Sequence, residues 1–109
     1  MIFAALNEAA ERGELFLEAG GLCRWHRRKD GILVVREIVV LPLHRRLGVG
    51  RRLVERVQRE APNATMLARC PAQTRDGRVG EANAFWRHLG FTLTGEKNGI
   101  NTWQRPAPG

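Results

Sequence analysis

"EIVVLPLHRRLGVGRRLVERV", residues Glu37 to Val57, changes its periodicity halfway along. The segment opens on an apolar run, as a strand does, and Pro42 ends it because proline has no N–H to give to a ladder. From Val49 onward the apolar residues are Val49, Leu53, Val54 and Val57. Spaced by three and four, they lay one oily stripe along a helix predicted over Val49 to Glu60. Arginines and glutamates occupy its other side. Gly48 and Gly50 stand at the junction, ringed by Arg45, Arg46, Arg51 and Arg52. Two residues without a Cβ let the backbone turn sharply and come close to a ligand. The first N–H groups of the following helix have no intrahelical partner, and its dipole places positive charge there, so this junction reads as a phosphate cradle.

Upstream, Phe3 to Arg12 carries alanines, Leu6 and acidic residues with no breaker before Gly13, which predicts a short helix. Apolar segments follow at Leu15 to Leu17, Leu22 to Trp25 and Ile32 to Leu41, divided by Gly20-Gly21 and Asp30-Gly31. They read as a three-stranded meander. Only Arg36 and Glu37 interrupt the third strand, so most of it is expected to be buried on both faces.

Downstream, Pro62 and Asn63 close the helix and Ala64 to Cys70 reads as a strand. Pro71 to Gly80 has no period and is expected to be a long loop. Ala82, Phe85, Trp86 and Leu89 fall on one helical face with Gly90 as the C-terminal cap. Phe91 to Thr94 and Ile100 to Arg105 make a final hairpin around Asn98-Gly99, and residues 105–109 are a frayed tail. The order implies one α/β domain over residues 1–109, a mixed and mostly antiparallel sheet with helices packed on it.

The chain has 109 residues and a formal net charge of +7, which attracts anions. No run approaches the ~18 apolar residues that cross a bilayer, and the opening residues do not read as a secretory leader. Cys23 and Cys70 show neither metal-ligand spacing nor a disulfide framework. These features predict a cytoplasmic protein with free thiols, no metal and no membrane contact.

Among phosphate loops, a dinucleotide fingerprint needs a glycine where Leu53 stands, and a nucleoside triphosphate loop needs Gly-Lys-Ser/Thr, which is absent. "RRLGVG", Arg45 to Gly50, instead resembles the coenzyme A loop of the GCN5-related N-acetyltransferases, the GNAT family. "ANAFWRHLGF", Ala82 to Phe91, is similar to the family's later helix, and together the resemblance covers Gly13 to Trp103. It implies a GNAT-like fold whose splayed strand pair receives acetyl-CoA, and transfer of the acetyl group to an amine by direct attack in a ternary complex. It places Arg45, Arg46, Leu47, Gly48, Val49, Gly50 and Arg51 around the pyrophosphate. Backbone groups near Val39, Val40 and Leu41 would hold the pantetheine and polarise the thioester, with Ala82 and Phe85 on the cofactor side of the later helix.

A base must take the amine's proton. Glu37 is the candidate, a carboxylate three residues before Val40 in a strand of valines; the alternative is a Glu paired with Arg36 or another arginine. Where the family often has a tyrosine as proton donor to the thiolate, Trp86 stands, and the chain has no tyrosine. An indole N–H donates a hydrogen bond but is no practical acid. Val79 also replaces an expected asparagine. Water or the amine itself would then protonate the thiolate, or else the chain is a CoA-binding module without catalysis, acting as a sensor or interaction partner.

His44 is expected to shape the loop entrance, His26 to sit at a basic strand end, His88 to face a helix dipole, and Trp25 and Trp103 to be core or interface residues. With about 40 residues before the loop the acceptor side should be open, completed by a large acceptor or by a homodimer through the last strands. A small amine, a protein lysine and an amine on nucleic acid all remain open as acceptors, whereas +7 repels a polyamine unless Glu8, Glu11, Glu14 and Glu18, clustered before the meander, form an acidic patch that overrides it. A nucleic-acid binder is the third reading, supported by charge alone.

Overall fold

The eight residues from Leu33 to Val40 form the strand on which the fold is organised, β3 in a computed structural model that describes residues 2–71 and 78–107. Before it come α1 (Ile2–Glu11), β1 (Leu15–Glu18) and β2 (Gly21–Arg27). After it come a 3₁₀ turn (Pro42–His44), α2 (Val49–Glu60), β4 (Met66–Pro71), α3 (Arg78–His88), β5 (Thr92–Lys97) and β6 (Ile100–Arg105). The expected loop at Pro71 to Gly80 is cut at both ends, because Pro71 belongs to β4 and Arg78 to Gly80 to α3, and residues 72–77 of it lie outside the described residues. The helix of Ala82 to Leu89 begins earlier than its apolar period implies, at Arg78.

Among the described residues six strands join one sheet in the order β1-β2-β3-β4-β6-β5. Only β3 and β4 run parallel; the other neighbours are antiparallel, as a mixed α/β sheet requires. At the β5–β6 turn Asn98 and Gly99 both have positive φ, 53° and 76°, the conformation that a two-residue hairpin of this type demands.

Strand alternation sends Cys23, Trp25, Leu33, Val35, Met66, Ala68 and Trp103 to one face. There they meet Val49, Leu53, Val54 and Val57 of α2 and Trp86 of α3 in a single core, and α1 packs along β1 and β2. β3 departs from expectation: only Leu33, Val34 and Val35 are buried, and Val39 is 50% exposed. From Arg36 on, the strand's outward side chains face the uncovered side of the sheet, so burial on both faces ends there. Among the described residues no helix is long and apolar enough to cross a membrane.

Two local devices lock the layers together. The β1–β2 turn sits hard against the start of α2: a Cβ on Gly21 would lie 2.7 Å from Val49 Cγ1 and 3.0 Å from the Val39 carbonyl oxygen. On the other side of the core, Asn83 of α3 accepts hydrogen bonds at its Oδ1 from Trp103 Nε1 at 2.7 Å and Asn101 Nδ2 at 3.2 Å. Neither glycine nor asparagine carries an apolar signal, so periodicity did not find them.

Asn83→Leu strands the buried Trp103 N–H and should cost about 1–3 kcal/mol, read as a fall in Tm of at least about 4 °C. Gly21→Ala should cost a similar ~1–3 kcal/mol by overpacking, although an alanine is ordinarily better tolerated than glycine inside a strand. Thermal unfolding by circular dichroism checks both.

Candidate functional site

β3 and β4 pair at Leu33–Met66, Val34–Leu67 and Val35–Ala68, and no further. Beyond Val35 and Ala68 the two strands part, leaving a fork between neighbours in one sheet. β3 also carries an extra residue at this point: Glu37 pairs with Arg24 and Val35 with Trp25 of β2, so Arg36 is a bulge. The bulge sets Arg36 and Glu37 together on the uncovered face.

Hydrogen bonding alternates along an antiparallel pair, which decides which backbone groups reach into the fork. The Leu41 N–H donates to the Gly20 carbonyl at 2.8 Å, which makes 41 and 20 a bonded pair; Val39 with Leu22 and Glu37 with Arg24 follow in register. Ile38 and Val40 therefore point their N–H and C=O groups away from β2, toward the fork. This corrects the expectation for Val39 and Leu41, whose backbone groups face β2. The Leu41 carbonyl is taken as well, by the His44 N–H at 2.8 Å. Ile38 was missed because side-chain pattern carries no information on backbone direction.

The loop above the fork is built from two left-handed residues, Arg46 at φ 64° and Gly48 at φ 80°. Gly48 is the N-cap of α2 and offers no side-chain cap, and the helix has no acid in its first turn. Its positive end is thus unneutralised. Arg45 Nε donates to the Val40 carbonyl at 3.2 Å and Arg52 Nη1 to the Leu47 carbonyl at 3.1 Å, bracing the loop from both sides. The exposed Arg46 and Arg51 have no hydrogen bond or ion pair among the described residues, which leaves two cations for an anion. Leu47 is 61% exposed, and Val49 turns into the core.

Gly48 and Gly50 serve different ends. Gly48 is needed for its φ, whereas a Cβ on the buried Gly50 would meet the Phe85 ring at 2.9 Å and Val40 Cγ2 at 3.7 Å. Gly50 is small so that α2 and α3 can close on each other beside the fork. Phe85 and the half-buried Ala82 pack against the core. His44 fits over Gly20 of the β1–β2 turn, where a Cβ would fall 2.1 Å from its ring.

On the uncovered face a cleft of about 980 Å³ spans the foot of the fork. Its lining includes Arg24, His26, Arg28, Arg36, Arg69 and Lys97. Glu37 beside it is ion-paired, Oε1 to Arg24 Nη2 at 2.5 Å, the arginine partnership that was its alternative reading. His26 belongs to this cleft and not merely to a strand end. Burial first, then the charge of Arg36, holds its imidazole below the usual 6.5, which favours the neutral form. Cys70 also lines the cleft as a free thiol, pushed up by burial.

Trp86 does not reach the fork from its place in α3. It is 3% exposed, its ring edge-on to Phe85 and Phe91 with centroids 5.0 Å away. Packing has made it a core residue, which corrects the expectation, from its match to the family's tyrosine, of a place beside the reacting sulfur.

Comparison with known proteins bears on the fold and the family. Residues 2–93 match a family model described as an acetyltransferase (GNAT) domain. Nourseothricin acetyltransferase superposes with a TM-score of 0.67 at 24% identity over 82% of this chain and 58% of its own. A GNAT-family acetyltransferase from Listeria monocytogenes gives 0.65 at 16% identity over 92% of this chain and 68% of its own. A candidate streptothricin acetyltransferase from Bacillus anthracis, solved with acetyl coenzyme A, gives 0.65 at 18% identity over 82% of this chain and 57% of its own. The chain therefore spans less than two thirds of the first and third of these proteins. No curated protein sequence matches it.

Inorganic pyrophosphate should perturb the amide resonances from Leu47 to Arg51, and Arg46→Glu with Arg51→Glu should abolish the effect. Gly48→Ala forces a side chain into the left-handed region at about 1–2 kcal/mol, and should lower Tm and weaken pyrophosphate together.

Proposed function

This chain belongs to the GNAT acetyltransferase family, and from that premise we propose that it transfers the acetyl group of acetyl-CoA to an amine acceptor by direct attack within a ternary complex. The observation that carries the proposal is the fork that opens between β3 and β4 after Val35 and Ala68, directly below an uncapped helix N-terminus. A like fold solved with acetyl coenzyme A supports the cofactor.

Bound in the fork, acetyl-CoA supplies an acetyl group activated as a thioester. Arg46, Arg51 and the backbone N–H groups from Leu47 to Arg51 bind the phosphates, through full charges and the helix dipole together. The fork-facing N–H and C=O of Ile38 and the N–H of Val40 take the pantetheine in the manner of an added strand, which satisfies groups that β4 leaves unpaired. An N–H directed at the thioester oxygen stabilises the charge that develops there.

Glu37 accepts the amine's proton through water. Arg24 fixes its orientation. With Trp86 in the core, the leaving sulfur takes its proton from water. The exposed β5 edge is the surface for a homodimer.

A second reading draws on the same absence of an acid at the Trp86 position: the chain binds CoA without turning it over. Thiol release with a panel of amines separates the two. Calorimetry should detect acetyl-CoA binding, and Glu37→Gln should reduce kcat by about a hundredfold with acetyl-CoA affinity retained. Full rate in Glu37→Gln would remove Glu37 from the mechanism and leave the cofactor site standing. Binding without thiol release from any amine favours the second reading.

A further inference from the structure

The cleft at the foot of the fork is more basic than acetyl-CoA requires, because it lies on the side of the sheet away from α2 and its phosphate loop. Among the described residues six cationic or titratable basic side chains line it, from four strands and the turns beside them: Arg24, His26, Arg28, Arg36, Arg69 and Lys97. Arg24 is paired with Glu37 and Arg28 with Asp30. Arg36, Arg69 and Lys97 have no ion pair or side-chain hydrogen bond among the described residues. Arg36 and Arg69 stand just past Val35 and Ala68, on the two arms of the fork at its opening.

We propose that this cleft binds the acceptor, and that the acceptor amine is carried on a compact anion, a molecule with a carboxylate or phosphate that Arg36 and Arg69 hold while its nitrogen faces the fork. The proposal rests on the acetyl-transfer reading and names its substrate class. A concavity of about 980 Å³ suits a small molecule. Among the described residues no Phe or Trp lines it, so they offer none of the stacking platforms with which single-stranded nucleic acid is held.

The same charges serve the chemistry. An amine attacks only when neutral, and neighbouring cations disfavour its ammonium form. Arg36 already acts in this sense on His26. A basic cleft thus selects an anionic carrier and helps to unmask the amine on it. The nitrogen forms a bond to the acetyl carbon as the carbon–sulfur bond breaks. The amine loses one proton and the thiolate gains one, leaving an amide and free CoA.

Matched pairs test the claim on the full chain: aspartate against asparaginamide for the carboxylate, and phosphoethanolamine against ethanolamine for the phosphate. The acidic member of at least one pair should have a kcat/KM about tenfold higher, through KM, and added salt should erase the difference. Arg36→Gln with Arg69→Gln should remove the preference, and Arg36→Lys with Arg69→Lys should restore part of it. A second readout needs no cofactor: titrating His26 by NMR, the preferred anion should raise its midpoint in the wild type and leave it in place in the double glutamine variant.

Neutral members turned over as well as acidic ones, with His26 unmoved by either anion, would overturn the proposal. So would a single-stranded oligonucleotide that moves His26 where both small anions fail. If the anions move His26 but no amine is acetylated, the anion site stands and the acetyl-transfer reading falls.

Discussion

The structure depends on β3 being held firmly on one side and released on the other. β2 pairs with it along its whole length, while β4 leaves it after three residues. Unpaired backbone groups in a sheet interior are costly, so such an opening persists only where something else holds the arms apart. Here the bulge at Arg36 turns the strand, and Val40 is wedged with Phe85 against Gly50 at the top of the gap. Arg45 caps the Val40 carbonyl from the loop. The opening is thus supported by side chains from three elements, and it is a feature of the fold as much as any pairing.

The two faces of the sheet have separate work. One carries α2, α3 and the whole apolar core, ending in the Trp103 to Asn83 clasp. The other carries arginines and few acids. A sheet with one face solvated can gather like charges there without burying them. That asymmetry makes the fork a passage: its upper end is positive through a helix terminus and Arg46 and Arg51, and its foot is positive through side chains on the strands.

Side-chain pattern made much of this visible in advance. The span Val49 to Glu60 is observed to the residue, because its apolar stripe, glycine entry and proline exit agree. The hairpin around Asn98-Gly99 was legible because those residue types favour positive φ. What was not legible depends on backbone direction or on long-range packing. Nothing in "VVREIVV" tells where β4 departs, or that Ile38 rather than Val39 faces the gap. Trp86 had the position of a functional residue, yet its burial follows from Phe85 and Phe91 closing around it. His26 looked like one of several basic residues until β3, β4 and the last hairpin curved around it.

The most direct measurement is amide hydrogen exchange along β3 with and without acetyl-CoA. The N–H groups of Glu37, Val39 and Leu41 should be protected in both states, and those of Ile38 and Val40 should exchange freely alone and slow sharply when the cofactor is added. Ile38 and Val40 already protected in the free chain, or unaffected by the cofactor, would contradict the account.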